Sequence, residues 1–197
     1  MTVDKTRREL LEAAYTEIHL QGFQAASLNA ILNKAGVTKG ALYHYFRSKK
    51  ELGYAVLDEW IQPYLKSTWI EPLNNQTLPP IERLKQTISQ AAEQLDEQEI
   101  QLGCPLNNLA QEMSPIDEGF RRRTDKLYQA WLESITATLA EGQESGSIRK
   151  DIDPADTALF IVAALEGCIS IAKNAQSQEA LFHCGKGVLG YLDSLSS

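Results

Sequence analysis

Between positions 38 and 49 the chain gathers side chains suited to touching a polyanion. Lys39 and Lys49 supply charge. Tyr43, His44 and Tyr45 supply planar groups that reach phosphate oxygens or base edges. Thr38 brings a hydroxyl, and Gly40 leaves a bare backbone that can approach a groove closely. A second set carries acid and thiol chemistry. Gly103-Cys104-Pro105 places a thiol at the N-cap of a helix whose first residue is proline, where the helix dipole favours thiolate. Glu166 interrupts an apolar run, so its carboxylate must be paired, face a cavity or sit at a symmetry axis; Lys173, seven residues on, shares its face. Trp60, Tyr64, Trp69, Phe120, Tyr128, Trp131 and Phe160 form a third set, more large rings than a small helical core needs, and they are candidates for lining a pocket.

Catalysis is not indicated. His19, His44 and His183 are scattered, and no H-E-x-x-H, Glu-x-x-His, phosphate loop or nucleophile-base pairing occurs. Cys104, Cys168 and Cys184 lack C-x-x-C spacing, which predicts neither a disulfide framework nor a zinc site. His183 and Cys184 are neighbours on a helix and diverge by about 100°, so they make no metal site. No cofactor is called for.

The elements that must position the first set are short helices with legible ends. Residues 4–21 form an amphipathic helix with Leu10, Leu11, Ala14 and Ile18 on one face, stopped by Gly22. Ser27 caps the next helix, whose apolar side is Leu28, Ile31, Leu32 and Ala35. Gly36 breaks it, Val37 returns to the core and Thr38 caps a third helix. Two helices joined by a glycine turn over 27–46, the second bearing groups for DNA, are a helix-turn-helix signature. Ser48-Lys49-Lys50-Glu51 spells a capping box and opens a further helix, whose N-terminus and lysines would hold a phosphate.

Gly22-Phe23, the stretch Ser27 to Phe46 and Ser48-Lys49-Lys50-Glu51-Leu52 resemble the DNA-binding domain of tetracycline-repressor (TetR) family regulators over about the first sixty residues. The resemblance implies a homodimeric, ligand-responsive repressor. By position it implies that Thr38, Lys39 and Gly40 enter the major groove, that Tyr43, His44 and Tyr45 meet backbone or bases, and that Lys49 holds a phosphate; Ser27 is a further DNA-contact candidate, and Ala26 before it departs from the family's frequent Thr, which removes a supporting phosphate or cap contact. The Gly-Cys start at 103–104 is similar to a subgroup in which a cysteine at this point senses electrophiles or oxidants. That supplies an alternative, a redox-sensing repressor acting through Cys104. A helical protein-interaction module is the remote alternative.

The expected architecture is all-α: a DNA-binding domain over 4–64 and an effector-binding and dimerisation domain over 65–197. Residues 1–50 hold eight Lys+Arg against four Asp+Glu, and the remainder eleven against twenty-two, a basic segment on an acidic body with net charge −7. No secretory leader and no apolar run of membrane-spanning length is read, which places the protein in the cytoplasm. Pro63 predicts a kink, 71–80 a loop and Pro80 the start of a helix. Pro105 to Met113 reads as a short helix. Ser114-Pro115 reads as the cap of a long helix ending at Gly142, and Asp153-Pro154 as the cap of another. This last helix and the final one are apolar on two sides, so pairing with their symmetry mates in a four-helix bundle would bury both. The implied partners are a palindromic DNA operator read at major grooves ~34 Å apart, a small-molecule effector and a second copy of the chain.

Overall fold

The first helix, α1 (Val3–Gln21), ends at Gly22, whose φ of 81° lies in the left-handed region that glycine enters without strain. Ser27, Thr38 and Ser48 stand in extended backbone. Their hydroxyls accept the N–H groups of Ala30, Ala41 and Glu51, starting α2 (Leu28–Ala35), α3 (Lys39–Tyr45) and α4 (Lys49–Val56) where the caps predict. Only half of the expected capping box forms: the Glu51 carboxylate accepts the N–H of Arg47, one residue beyond the cap, at 2.9 Å. Two π-helical turns, Leu57–Ile61 and Lys66–Ile70, flank α5 (Gln62–Leu65), which contains Pro63. Proline has no N–H for its turn, and the wider winding beside it takes up the mismatch.

The computed structural model describes residues 3–197. A 3-10 turn at Glu71–Asn74 precedes α6 (Pro80–Gln94), α7 (Glu97–Leu102), α8 (Pro105–Met113), α9 (Glu118–Glu144), α10 (Pro154–Ala175) and α11 (Gln178–Asp193). Among the described residues the only extended pairing is an isolated bridge between Ile148 and Ser196. The chain divides into two units, the first ending at Tyr64 and including Pro105–Lys126, the second comprising Leu65–Cys104 and Leu127–Ser197. Residues 105–126 thus group with the N-terminal helices, although they follow residue 64 in the chain.

In the first unit Leu10, Ile18, Ile31, Leu42, Phe46, Leu52 and Val56 are buried, as are Leu106, Leu109 and Phe120. A β-carbon on Gly53 would lie 2.5 Å from the Phe23 ring and 2.7 Å from Phe120, so this mid-helix glycine is a packing requirement. In the second unit Leu84, Ile88, Trp131, Ile135, Leu139, Ile161, Leu165 and Leu192 are buried together with Ile148. Buried threonine hydroxyls return to their own helices, Thr87 to the Arg83 carbonyl and Thr138 to that of Ser134.

Four expectations are corrected. The long helix starts at Glu118, because Asp117 accepts the Phe120 N–H at 3.0 Å and acts as its cap, whereas the N–H of Ser114 still belongs to the turn that closes α8. Gly142 does not stop that helix. Its missing side chain makes room for Ile148, whose terminal carbon would lie 2.3 Å from an added β-carbon, and α9 continues to Glu144. Cys168 and Cys184 form a disulfide, since α10 and α11 pair as a hairpin that brings their Cα atoms to 5.4 Å. Finally, α10 is by length and composition apolar enough to cross a membrane. In this fold Ala158, Ile161, Leu165 and Ala172 on that helix are core residues.

Candidate functional site

The sequence of α3 divides its faces sharply. Leu42 and the following Phe46 are buried, while Lys39, Gly40, Tyr43 and His44 are exposed with Thr38. The Lys39 ammonium stands 5.9 Å from the centre of the Tyr43 ring, a cation-π pair at the surface. Tyr45 is half-buried, its ring 5.0 Å from His44 and 6.5 Å from Phe46. Ser27 is exposed at the start of α2, with its own N–H donated to Glu17. A short helix therefore offers a cation, two planar polar rings and a side-chain-free backbone to solvent on one side. Aliphatic and aromatic bulk anchors the other.

Lys49 is placed differently from the reading that had it free for phosphate. Its ammonium donates to the Gln24 carbonyl at 3.0 Å and lies 5.0 Å from the centre of the Phe23 ring. Burial holds its pKa below the usual lysine range, against the opposing fields of Glu112 and Glu17. It clamps the turn between α1 and α2. Glu112 does the same from α8, accepting the N–H groups of Phe23 and Gln24 at 2.7 and 2.8 Å. Lys50 is likewise occupied, in an ion pair with Asp117 at 2.9 Å.

Around Asp117 the first unit builds a polar knot that sequence reasoning missed. The carboxylate accepts the Tyr54 hydroxyl at 2.6 Å. The Arg123 guanidinium lies over the Tyr54 ring at 4.1 Å and donates to Asp58 at 3.0 Å. The Tyr54 hydrogen bond, then Lys50, then the Phe120 N–H hold the Asp117 carboxyl far below the usual carboxylate range. The spacing of Lys50, Tyr54 and Asp58 at every fourth residue was the available signal.

The pocket candidates do not converge on one cavity. Trp60 stacks on Tyr15, Tyr64 is exposed, and Phe120 is fully buried against Phe23 and Tyr54, all within the first unit. Phe160 is exposed on α10, edge-on to Tyr191. In the second unit Trp131 packs against Trp69 with ring centres 4.7 Å apart, and with Leu84, Ile161 and Leu165 they line an apolar hollow of about 10 Å³. That is room for one water at most, so an occupant must move a ring.

Cys104, Tyr128 and Glu166 do come together in the second unit. Glu166 is buried and neither carboxylate oxygen meets a partner at hydrogen-bonding geometry. Burial pushes its pKa up to about 7, while the nearby Cys104 thiol, directed toward the carboxylate, works weakly the other way. Burial first, then the charges of Glu166 and Cys104, raise the Tyr128 phenol. A carboxylate beside the thiol opposes thiolate formation and offsets the helix-dipole argument for a reactive Cys104.

Two family models match the chain. Residues 10–56 match the bacterial regulatory proteins of the tetR family, and residues 80–186 the tetracyclin repressor-like C-terminal domain. The HTH-type transcriptional repressor DhaR of Mycobacterium sp. strain GP1 is 32% identical over 89% of this chain and 86% of its own length. The HTH-type transcriptional repressor NemR of Escherichia coli K12 is 27% identical, over 91% and 90%. The crystal structure of E. coli NemR in its reduced form superposes with a TM-score of 0.83 at 26% identity, covering 98% of this chain and 97% of that one.

Proposed function

The chain belongs to the TetR family of bacterial regulatory proteins, and we propose on that premise that it is a homodimeric repressor whose α3 reads a palindromic operator until an effector bound in the second unit releases it. The observation that carries this reading is the divided surface of α3, with Leu42 and Phe46 buried and Lys39, Gly40, Tyr43 and His44 turned to solvent. Such a helix positions itself through phosphate contacts and specifies through its exposed polar rings. Lys49 acts indirectly, holding the turn that seats α2.

A second copy is supported by the outer face of α10 and α11. Leu159, Phe160, Ile171 and Phe182 are each more than half exposed, an apolar patch that a soluble protomer covers by association. Side chains added at Gly167, Gly187 or Gly190 would meet nothing in their own protomer, so a partner helix can approach closely there. Two recognition helices then address major grooves about one helical turn, ~34 Å, apart. The effector acts by linkage: preferring the conformation that fits the operator poorly, it weakens binding through a coupling of roughly 1 to 3 kcal/mol. The Glu166 environment favours a non-covalent effector over modification of Cys104. The protein works in the cytoplasm, beside the DNA it reads.

A gel shift with the DNA flanking the protein's own reading frame tests this. Tight binding that falls steeply with salt is expected, with Lys39→Ala and Tyr43→Ala each weakening it about tenfold or more while the melting temperature holds. Sedimentation should give a dimer that Phe182→Glu dissociates. A monomer indifferent to every duplex would refute the reading.

A further inference from the structure

A second hollow in the second unit holds about 270 Å³ and shares Leu73 with the small apolar one. Its walls are polar: Asn74, Gln76, Ser134, Thr138, Glu141 and, at the bottom, Arg83. The Arg83 side chain is 2% exposed, and a guanidinium cannot shed its charge when buried. One terminal nitrogen donates to the Leu73 carbonyl at 2.9 Å, and the other pairs with Glu141, whose own side chain is 44% exposed. The Nε–H has no partner. Trp131, in the wall of the adjoining hollow, leaves its indole N–H equally unmet.

Both orphan atoms are donors buried behind the two hollows, so an acceptor is what this part of the second unit lacks. The counter-ion already present is a carboxylate reaching in from the solvent side, which shows that the guanidinium accepts that group in this place. One fixed positive charge, opposed by one displaceable negative one, suits a monoanion and not a phosphate dianion. The volume, below that of most drug-sized sites, suits a small molecule. Beyond Leu73 lie Trp69 and Trp131, where a short apolar body fits only by shifting a ring of the small hollow.

We propose that this cleft is the effector's head-group site and that the effector class is a small amphiphilic carboxylate, its carboxylate replacing Glu141 on Arg83 and its apolar end turned toward Leu73, Trp69 and Trp131. The proposal rests on the ligand-responsive reading above. It also supplies a mechanical event. Arg83 on α6 and Glu141 on α9 tie those helices together, and a ligand that takes the guanidinium unties them.

The test titrates the full-length protein with linear carboxylates from propionate to octanoate, and with the matching uncharged amides, by calorimetry. At least one acid should bind saturably and its amide at least tenfold more weakly. Arg83→Met should weaken the acid tenfold or more. Glu141→Gln, whose amide oxygen can still accept from Arg83, should tighten it severalfold by removing the competing charge. The proposal is overturned if no acid binds, if acid and amide bind alike, or if Glu141→Gln leaves the affinity where it was. A ligand-free gel shift run alongside keeps the two readings apart: operator binding with no response to any carboxylate ends this inference and leaves the repressor standing.

Discussion

Asp117 in the first unit and Glu166 in the second are both carboxylates at helix contacts, and their surroundings drive them in opposite directions. Asp117 is met by a hydroxyl, an ammonium and a backbone N–H, and its pKa falls. Glu166 is buried with only the Cys104 thiol acting against the desolvation, and its pKa rises to about 7. The contrast extends to most of their neighbours, although Glu9 on α1 also keeps one carboxylate oxygen buried and unmet in the first unit. Around α4 the charged groups Lys49, Lys50, Asp58, Glu112, Asp117 and Arg123 all find partners. In the second unit Arg83, Trp131 and Glu166 keep buried polar atoms unmet. A surface that must present one fixed helix to DNA gains from saturated contacts. On the function proposed above, a body that responds to a ligand can keep unsatisfied groups for that ligand to meet.

Three measurements would break or sharpen that contrast. The largest effect is expected from the second unit's covalent tie: the double variant Cys168→Ser/Cys184→Ser, or reduction by a thiol, should cost about 3 kcal/mol in denaturant unfolding. A loss confined to the first unit would contradict the division. Next, Gly53→Ala drives a methyl into Phe23 and Phe120, and should destabilise the first unit by about 2 kcal/mol despite the better helix propensity of alanine. A neutral result would mean the aromatic packing there is loose.

Third, pH separates the acids. Glu166 has a folded pKa near 7 against an ordinary 4.5, so its contribution is fully present below pH 4.5 and is lost as pH rises through 7. Stability should fall by roughly 1 kcal/mol per pH unit between those values, and Glu166→Gln should flatten that slope in a melting series. Asp117 has the opposite sign: its depressed pKa contributes stability above the unfolded value near 4, lost as pH falls further. Asp117→Asn should therefore lower the melting temperature modestly at pH 7, by a somewhat smaller margin at pH 3, and the difference should vanish only in stronger acid, as pH falls through the depressed folded value. Identical profiles for the two variants would erase the distinction between the carboxylates.

Much of the first unit is readable in the chain because its signals are local. Ser27, Thr38 and Ser48 cap helices wherever they sit before an apolar-periodic stretch, and Gly36 must take a left-handed turn, φ 64°, whatever surrounds it. Asp96 and Glu99 carried the same kind of signal, a capping box that opens α7, and it went unread. Lys49 was legible as a lysine at a helix start but not as a clamp on Gln24 and Phe23, which lie some 25 residues upstream. The aromatic candidates failed to converge because helical spacing gives a residue's angle around its own helix and nothing about what that face meets.

Residue types and short-range spacing determined that this chain is helical, where most of its helices begin, and which helix shows lysine, tyrosine and histidine to solvent, because caps, turns and amphipathic periodicity act within one or two helical turns. Tertiary structure alone decided that Cys168 meets Cys184, that 105–126 packs with the N-terminal helices, and that Arg83 is sealed beneath Glu141. Those outcomes depend on which surfaces pack across long stretches of chain, and the free energy that selects them is spread over many contacts rather than written at any one position.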